Sequence, residues 1–377
     1  MGVLKPTAIS WLSILLLSIS VKVISQQDNV QEAFLQCLLD NSHPSHPISS
    51  AIFTPQNSSY SSVLQSYIRN RRFNETTTPK PFLILTALHQ SHIQAAVVCA
   101  KKHDLQMKIR SGGHDYEGLS YVSTVPFFVL DILILDVVNS SSSTGGKTVR
   151  ASFLSLFLGD SKTLLSIMNE SFPELGLSQS DCIETSWIQS VLNWTNFPVD
   201  TSAKVLLNRT PQTLTFLKRK SDYVKEPIPK DGLEWLWKRM IELGTPTLIF
   251  NPYGGRMAEI SASETPFPHR AGNLWKIQYV TNWNEAGAEA ADHYINLTRK
   301  LHGYMTGFVS KNPREAFLNY RDIDLGVNHN GKASYWEGRV YGIKYFKSNF
   351  NRLVQIKTKV DPGNFFRYEQ GIPTLPH

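Results

Sequence analysis

One stretch near the amino end constrains the fold most, because it combines two strands, a helix and a glycine-rich loop. Residues 81–86 form a short apolar run typical of a buried strand, and 105–110 alternate apolar and polar side chains as a second strand does. Between them, Ser91 with Gln94 three positions later forms a capping-box pattern for a helix that ends near Lys102. The strands of such a unit are parallel, and ligands of open α/β sheets bind beyond their carboxyl ends.

The loop at 110–121 follows the second strand directly and has the residue types of an anion-binding loop. Gly112 and Gly113 allow backbone amides to approach a ligand closely, and Arg110 adds positive charge beside them. His114 is a candidate base, ligand or nucleophile toward an electrophilic cofactor carbon. A Gly-Gly-His sequence after a strand also occurs in ordinary turns, so these three residues alone do not decide between the two interpretations.

The rest of the chain mixes helical and strand patterns, which predicts an α+β fold. A Ser-, Gly- and Thr-rich stretch at 139–147 indicates a junction between two parts. The sequence predicts strands at 121–135, 149–153, 246–251, 257–261 and 273–282, and helices at 162–169, 233–243 and 286–301.

Composition excludes several classes of protein. The chain has 377 residues, of which 41% are hydrophobic and 18% charged, which is typical of a packed globular protein. Its 38 Lys and Arg residues exceed its 31 Asp and Glu residues, but they are scattered, so no nucleic-acid partner is implied. The basic run at 217–220 is interpreted as solvated surface. The pairs His43 with His46 and His89 with His92 lack a third ligand, so no metal site is expected.

The first residues resemble a secretory signal. Lys5 precedes an apolar stretch at 9–21, and small residues at 23–25 predict cleavage before Gln26, which makes 1–25 a signal peptide. The stretch is too short to span a membrane, and no other run approaches the required length. We therefore expect a secreted monomer in the extracellular space, the cell wall or the vacuole. Glycosylation sequons begin at seven asparagines: Asn57, Asn74, Asn139, Asn169, Asn193, Asn208 and Asn296.

Secretion makes a disulfide bond the expected state of two of the three cysteines. Cys37, Cys99 and Cys182 allow three pairings. Cys37 with Cys99 is favoured, because both lie in amphipathic, helix-like stretches near the amino end. Cys182 would then be an unpaired structural thiol.

Six motifs, in order along the chain, resemble the plant berberine bridge enzyme-like family, which includes the cannabinoid acid synthases and belongs to the vanillyl-alcohol-oxidase-type FAD enzymes. The resemblance extends over residues 30–135 and 150–377. The motifs are RSGGHDYEGLSY at 110–121, NESFPELG at 169–176, NPYGG at 251–255, PFPHRAG at 266–272, NYRDIDLG at 319–326 and DPGNFF at 361–366.

The resemblance implies a two-part FAD-binding domain of the PCMH type, here truncated, and an α+β substrate domain with an antiparallel sheet. It implies oxidation of a small organic substrate by hydride transfer to FAD, with molecular oxygen as acceptor. His114 would bond covalently to the flavin, and the same resemblance supports the Cys37–Cys99 pairing. The other residues expected to contact the cofactor are Arg110, Ser111, Gly112, Gly113, Asp115 and Asn349.

The resemblance also assigns residues to the substrate side. Tyr116, Lys276 and Gln278 would line the pocket, since alternation along the strand at 275–279 places the last two on one face. Tyr320 would be the catalytic base or the hydrogen-bond partner of a substrate hydroxyl. A phenol has a pKa of about 10 and needs a nearby cation to ionise at neutral pH, and Lys276 and Arg321 are the candidates.

One part of the family pattern is missing. Relatives carry a long segment with a second, flavin-linking cysteine, where this chain has only residues 137–148 as a junction. The predicted arrangement is therefore the amino-terminal part of the FAD-binding domain at 26–136, a junction at 137–148 in place of the missing segment, a substrate domain at 149–335 and a carboxyl-terminal segment at 336–377 that covers the flavin. Without the second cysteine, only the link through His114 is expected. The alternative hypothesis is a catalytically inactive secreted glycoprotein, or an incomplete gene product, that only binds a ligand.

Overall fold

The computed structural model describes residues 29–131, 149–195, 197–208, 214–329 and 334–376. The predicted signal peptide, the junction at 137–148 and the sequon at Asn139 lie outside these ranges. The strands are Ile52–Phe53 (β1), Ile84–Thr86 (β2), Gln106–Arg110 (β3), Phe127–Asp131 (β4), Phe216–Val224 (β5), Thr247–Pro252 (β6) and Trp275–Trp283 (β7). The helices are 29–40 (α1), Tyr60–Gln65 (α2), Gln90–Lys102 (α3), Ser161–Ser171 (α4), Trp187–Trp194 (α5), Lys230–Leu243 (α6), Arg256–Glu259 (α7), Ala288–Tyr304 (α8), Tyr335–Phe346 (α9) and Asn349–Val360 (α10).

The first sheet has the strand order β1-β2-β4-β3, and β2, β3 and β4 are parallel. The predicted strand–helix–strand unit is confirmed, with β4 inserted between its two strands. The helix begins one residue earlier than predicted. His89 is its N-cap, since its extended backbone lets the imidazole accept a hydrogen bond from the amide of Ser91. Ser91 therefore lies inside the first turn.

The core of this part lies between the sheet and helices α1 and α3. Phe34 and Phe128 are fully buried there, with ring centroids 4.7 Å apart. The predicted disulfide bond is confirmed: Cys37 on α1 is bonded to Cys99 on α3 inside this core, and the two residues are separated by 62 positions. Cys182 is a free cysteine, as expected. The bond joins the two helices that cover the sheet.

The second sheet is antiparallel, with the order β5-β7-β6, which confirms the predicted antiparallel sheet. Helices α6 and α8 cover one of its faces. Ile277 and Tyr279 of β7 are buried there against Leu236 of α6 and Leu301 of α8. The side chains of Lys276 and Gln278 alternate with these residues and therefore point to the other face.

The carboxyl end of the chain returns to the first sheet. Helices α9 and α10 contact one another, with the ring of Phe350 against Gly342, where a side chain would collide with it. Beyond α10, Glu369 accepts hydrogen bonds from the ammonium of Lys108 on β3 at 2.7 and 2.9 Å. The predicted domain boundaries stay predictions.

Three predictions from local pattern are wrong. Residues 257–261 were expected to be a strand, but the helix α7 occupies Arg256–Glu259. Residues 149–153 form no strand, because they reach no sheet edge, and Phe153 is 75% exposed. The basic run at 217–220 belongs to β5, in which all nine residues are buried. Its charges are paired within the protein rather than solvated.

Residues 149–194 expose an unusual number of large apolar side chains. They are Phe153, Leu154, Leu156, Leu158, Ile167, Phe172, Leu175, Ile183, Trp187, Ile188 and Trp194. The hydrophobic core clusters of the described residues include none of them. Among the described residues, no helix has both the length and the apolar character needed to cross a bilayer.

Candidate active site

The glycine-rich loop begins at Arg110, whose side chain supports it from inside the protein. The guanidinium is fully buried and donates to the carbonyls of Leu64 at 2.8 Å and Val63 at 3.1 Å, and it lies 5.1 Å from the ring centroid of Tyr67. Both carbonyls belong to α2, so the positive charge is close to the carboxyl-terminal end of that helix. From the sequence, this charge was expected beside a ligand. In the structure, the guanidinium is buried behind the loop and supports its backbone.

The two glycines bring the loop close to a neighbouring backbone segment. Gly113 has φ of +69°, and a Cβ there would lie 1.8 Å from the carbonyl oxygen of Tyr67, so the position requires glycine. The carbonyl of Gly112 accepts a hydrogen bond of 3.0 Å from Nε of Arg69. The next residue, His114, has an exposed side chain, and Ser111 is half-buried. The loop is thus fixed from behind and presents an imidazole on its outer side.

Asp115 fixes the other half of the loop. Its Oδ1 accepts hydrogen bonds from the amides of Glu117 at 3.0 Å and Leu119 at 3.2 Å, and its Oδ2 accepts one of 2.6 Å from Nε of Arg321. Arg321 also lies over the ring of Tyr368, with 5.0 Å to the centroid. Its Nη1 is buried and has no hydrogen-bond partner among the described residues. This N–H group beside the loop can therefore donate a hydrogen bond to an acceptor on a bound ligand.

Four side chains predicted to face the substrate lie together, with a fifth beside them. Tyr116 accepts a hydrogen bond of 3.2 Å from Nε2 of Gln278, and its ring centroid is 6.1 Å from that of Tyr320. The ammonium of Lys276 lies 4.3 Å from the Tyr320 centroid and 4.0 Å from the Phe317 centroid. We call these five residues the tyrosine–lysine cluster. It joins the loop, the open face of β7 and the 3-10 turn Leu318–Tyr320.

Burial changes the proton affinities in this cluster. Desolvation lowers the pKa of Lys276 to about 8. Burial raises the pKa of Tyr320 to about 12, with contributions from Tyr116 and Tyr253, although Arg219 opposes the shift. The phenol therefore keeps its proton at neutral pH, and the lysine amine is the group that titrates near physiological pH. This reverses the expectation that a cation ionises Tyr320.

Arg219 belongs to the same neighbourhood and was missed from the sequence. Its guanidinium lies 5.4 Å from the ring centroid of Tyr116, and its Nη1 donates to the carbonyls of Lys218 at 3.0 Å and Thr281 at 2.9 Å. Arg321, the cation proposed for Tyr320, is instead bonded to Asp115. The sequence does contain a signal that could have identified Arg219. Apolar residues precede and follow the basic run, which indicates that the whole stretch is one strand of the sheet.

A buried triad of charges connects the three segments that carry the cluster. The ammonium of Lys218 lies 2.5 Å from a carboxylate oxygen of Glu117 and 2.9 Å from one of Asp322, and the three side chains are almost fully buried. Glu117 follows Tyr116 in the loop, and Asp322 follows the turn that carries Tyr320. The triad thus ties the loop and the turn to β5.

Asn349, which was expected near the flavin ring, has its side-chain amide bonded within the protein. Its proximity to a flavin stays a prediction. The residue is buried at the start of α10, and its Nδ2 donates to the carbonyls of Ala262 at 2.7 Å and Thr265 at 3.1 Å. It therefore holds α10 to the segment before β7. The described residues contain no group of three or more His, Cys, Asp and Glu side chains arranged to hold a metal ion.

The sequence has extensive similarity to known proteins. Residues 316–373 match the family described as berberine and berberine like. Berberine bridge enzyme-like 8 of Arabidopsis thaliana is 44% identical over 506 residues, covering 92% of this chain and 95% of the relative. Berberine bridge enzyme-like 14 of the same plant is 38% identical, covering 91% of this chain and 94% of the relative.

Solved structures agree with the sequence matches. BBE-like 28 from Arabidopsis thaliana has a TM-score of 0.78 at 29% identity, covering 92% of this chain and all of that chain. Phl p 4, described as a grass pollen allergen with glucose dehydrogenase activity, has a TM-score of 0.80 at 30% identity and covers 91% of this chain. A variant of berberine bridge enzyme, at 21% identity and a TM-score of 0.78, supports the fold alone.

These matches confirm the predicted fold class, that of the FAD-linked oxidases of the PCMH type, with helices and an antiparallel sheet. The alignment with berberine bridge enzyme-like 8 extends over 506 residues, whereas this chain has only 377, so the relative carries a long segment without a counterpart here. Identity of 44% over almost the whole of both chains leaves the assignment in no doubt. The chain belongs to the berberine bridge enzyme-like family of oxidoreductases.

Proposed function

We propose that this protein is a secreted, FAD-linked oxidase of a small hydroxylated organic substrate, with molecular oxygen as the electron acceptor. The observation that carries the proposal is the tyrosine–lysine cluster, in which a protonated phenol and an amine of pKa about 8 lie side by side at a half-buried wall. Such a pair can hydrogen-bond a substrate hydroxyl and accept its proton near neutral pH.

The residues around the loop have the chemistry needed to hold the flavin ring of FAD. Berberine bridge enzyme-like proteins are FAD-dependent. The imidazole of His114 is exposed on the outer side of the loop and is the proposed point of covalent attachment to the flavin. Nη1 of Arg321, which has no hydrogen-bond partner among the described residues, offers a donor to an acceptor-rich group. When bound, FAD supplies a hydride acceptor that oxygen can reoxidise. Cys182 is the remaining cysteine and lies outside the loop, so the single link through His114 is the proposed attachment.

The cluster residues have separate tasks in this proposal. The hydroxyl of Tyr320 hydrogen-bonds the substrate hydroxyl, and the neutral amine of Lys276 takes up its proton. Gln278 and Tyr116 are already joined by a hydrogen bond and orient the substrate from the other side. Phe317 covers the amine and limits its contact with water, which keeps its pKa low.

Secretion is part of the proposal and has independent support. A disulfide bond is typical of proteins that fold in an oxidising compartment. The six sequon asparagines that the structure describes are exposed, as glycan attachment requires. The similarity to a protein with glucose dehydrogenase activity favours a substrate with alcohol or sugar hydroxyls. We propose that the protein acts as a monomer.

A second candidate is a catalytically inactive secreted glycoprotein, or an incomplete gene product, that binds a ligand at the same wall. Two observations favour it: the long segment of the relatives that has no counterpart here, and the uncovered apolar side chains at 153–158. A protein that lacks part of the cofactor-binding surface could retain the tyrosine–lysine cluster and bind a substrate-like ligand without binding the cofactor.

Turnover distinguishes the two candidates. Purified secreted protein would be incubated aerobically with a panel of alcohols and sugars, and hydrogen peroxide would be measured. We expect peroxide with at least one substrate, and a loss of roughly 100-fold or more in kcat/KM for Tyr320→Phe and Lys276→Met. Tyr304→Phe, on α8, should behave as the wild type. Substrate binding without any peroxide or flavin reduction would establish the second candidate.

A further inference from the structure

A polar cavity lies on the opposite side of the second sheet from the tyrosine–lysine cluster. Its volume is about 450 Å³, and residues of β5, α8 and α9 and of the segment 314–325 line it. Since successive side chains of a strand point to opposite faces, Lys220 and Asp222 face away from Arg219. The cavity is therefore separate from the proposed catalytic wall.

Most charges around this cavity are paired. Arg314 donates two hydrogen bonds to Asp222, at 2.6 and 2.5 Å, and Arg299 donates two to Asp324, at 3.0 and 2.7 Å. The ammonium of Lys220 also reaches Asp324, at 2.9 Å. These three cations already have carboxylate partners.

Lys344 is different. It lines the cavity from α9, and among the described residues its ammonium has neither a hydrogen bond nor a carboxylate within ion-pair distance. Burial lowers its pKa, Asp322 opposes this shift, and Lys220 and Arg314 reinforce it. The carboxylates of Asp222, Glu315 and Asp324 also line the cavity, but each is already paired with another cation.

His302 lines the same cavity from α8. Its Nε2 lies 3.3 Å from a carboxylate oxygen of Asp222, yet burial, Arg314 and Lys220 together lower its pKa to about 2, with Lys344 contributing in the same direction. The imidazole is therefore neutral at physiological pH. The neutral ring adds no charge to the cavity, which leaves the ammonium of Lys344 as the charged donor that an anion could satisfy.

We propose that this cavity binds a small oxyanion, of the class of phosphate and sulfate, with Lys344 as the principal ligand and His302 and Arg314 beside it. A tetrahedral oxyanion has acceptors in several directions, which suits a cavity whose cations come from β5, α8, α9 and the segment 314–325. Binding would give the ammonium of Lys344 a negatively charged partner. The site is independent of the proposed oxidase activity.

Calorimetric titration of the full secreted protein with inorganic phosphate tests the proposal. Ionic strength is held constant with sodium chloride, and sulfate and acetate are titrated in parallel. We expect saturable binding of phosphate and sulfate, at least a tenfold loss of affinity in Lys344→Met, and retention in Lys344→Arg. Lys359→Met, an exposed lysine on α10, is the matched control and should bind as the wild type does.

Two results would overturn the proposal: absence of saturable phosphate binding by the wild type, or equal binding by wild type and a folded Lys344→Met. If Lys344→Met does not fold, NMR of the His302 ring in the wild type decides. A phosphate-dependent shift of this signal supports the site. Phosphate binding that leaves the His302 signal unchanged places the anion elsewhere and rejects it.

Discussion

The ammonium of Lys276 lies 4.3 Å from the ring centroid of Tyr320, although 44 positions of the chain separate the two residues. Lys276 belongs to the central strand of the second sheet, and Tyr320 to a 3-10 turn that the buried triad holds in place. The contact is favourable in two ways, because the cation faces an aromatic ring and the ring shields the amine from water. Low pKa and proximity to a phenol are the properties that the proposed chemistry needs.

The pH dependence of activity should follow Lys276. Its pKa of about 8 means that the amine is charged below this pH and neutral above it. If the neutral amine accepts the substrate proton, kcat/KM rises with pH through about 8 and then becomes constant. Lys276→Met should lose this rise together with most of the activity, whereas Lys359→Met should keep it. A rise of the same size and midpoint in Lys276→Met would contradict the assignment.

Breaking the buried triad should destabilise the protein strongly. Lys218→Met removes the cation that Glu117 and Asp322 share, but Arg72 still lies 3.4 Å from Glu117 and Lys220 2.5 Å from Asp322. Removal of one partner of a buried ion pair costs roughly 3–5 kcal/mol, and the remaining cations place the expected cost at the lower end of this range. Urea unfolding measures this cost. Arg256→Ala removes an exposed ion pair with Glu259 and should cost less than about 1 kcal/mol. Equal costs for the two variants would show that the triad does not hold the loop and the turn to β5.

The disulfide bond should contribute to stability mainly through the unfolded chain. Cys37 and Cys99 are 62 positions apart, and closure of a loop of this length is worth about 4 kcal/mol in the chain-entropy estimate. The double variant Cys37→Ser and Cys99→Ser should lower the free energy of unfolding by about this amount. Cys182→Ser is the control and should have little effect, since this cysteine is unpaired. A double variant as stable as the wild type would refute the prediction.

Stability should fall in acid partly because of Glu315. Burial raises the pKa of this carboxyl, but hydrogen bonds with His269 and Lys225 and the charge of Lys347 outweigh burial and lower it to about 2. The folded-state pKa is thus below that of the unfolded chain, so the ionised form stabilises the fold. This contribution is present above a pH of about 4.5 and is lost as the pH falls toward 2.

Glu315→Gln tests this dependence. The variant should be less stable than the wild type near neutral pH, and its free energy of unfolding should decrease less steeply between pH 4.5 and 2. Urea unfolding at several pH values gives both quantities. Glu226→Gln, an exposed position, should leave the wild-type profile unchanged. Parallel profiles for Glu315→Gln and the wild type would contradict the expected role.

Sequence patterns within a single strand or helix were sufficient to predict features that the residues of that element determine by themselves. The alternation of β7 correctly placed Lys276 and Gln278 on one face, and the helix-like setting of Cys37 and Cys99 pointed to their disulfide bond. The burial of β5 escaped prediction for a physical reason. Lys218 is neutralised by Glu117 and Asp322, which are 101 and 104 positions away, so nothing near it in sequence shows that its charge is paired.

The proton affinities of the cluster could not be predicted either. From the sequence, Lys276 was a cation that would ionise Tyr320. In the fold, burial acts on both groups and disfavours the charged form of each, so the lysine loses proton affinity and the tyrosine keeps its proton. How deeply each side chain is buried depends on how the loop, the sheet and the turn meet. That information is absent from any single motif.

The most direct measurement of the central claim is the visible spectrum of the purified protein before and after acid precipitation. Covalent attachment through His114 predicts a yellow protein whose flavin absorbance stays with the precipitate, and a His114→Ala variant whose precipitate is colourless. A colourless wild-type protein, or flavin that stays in the precipitate of His114→Ala, would contradict the account.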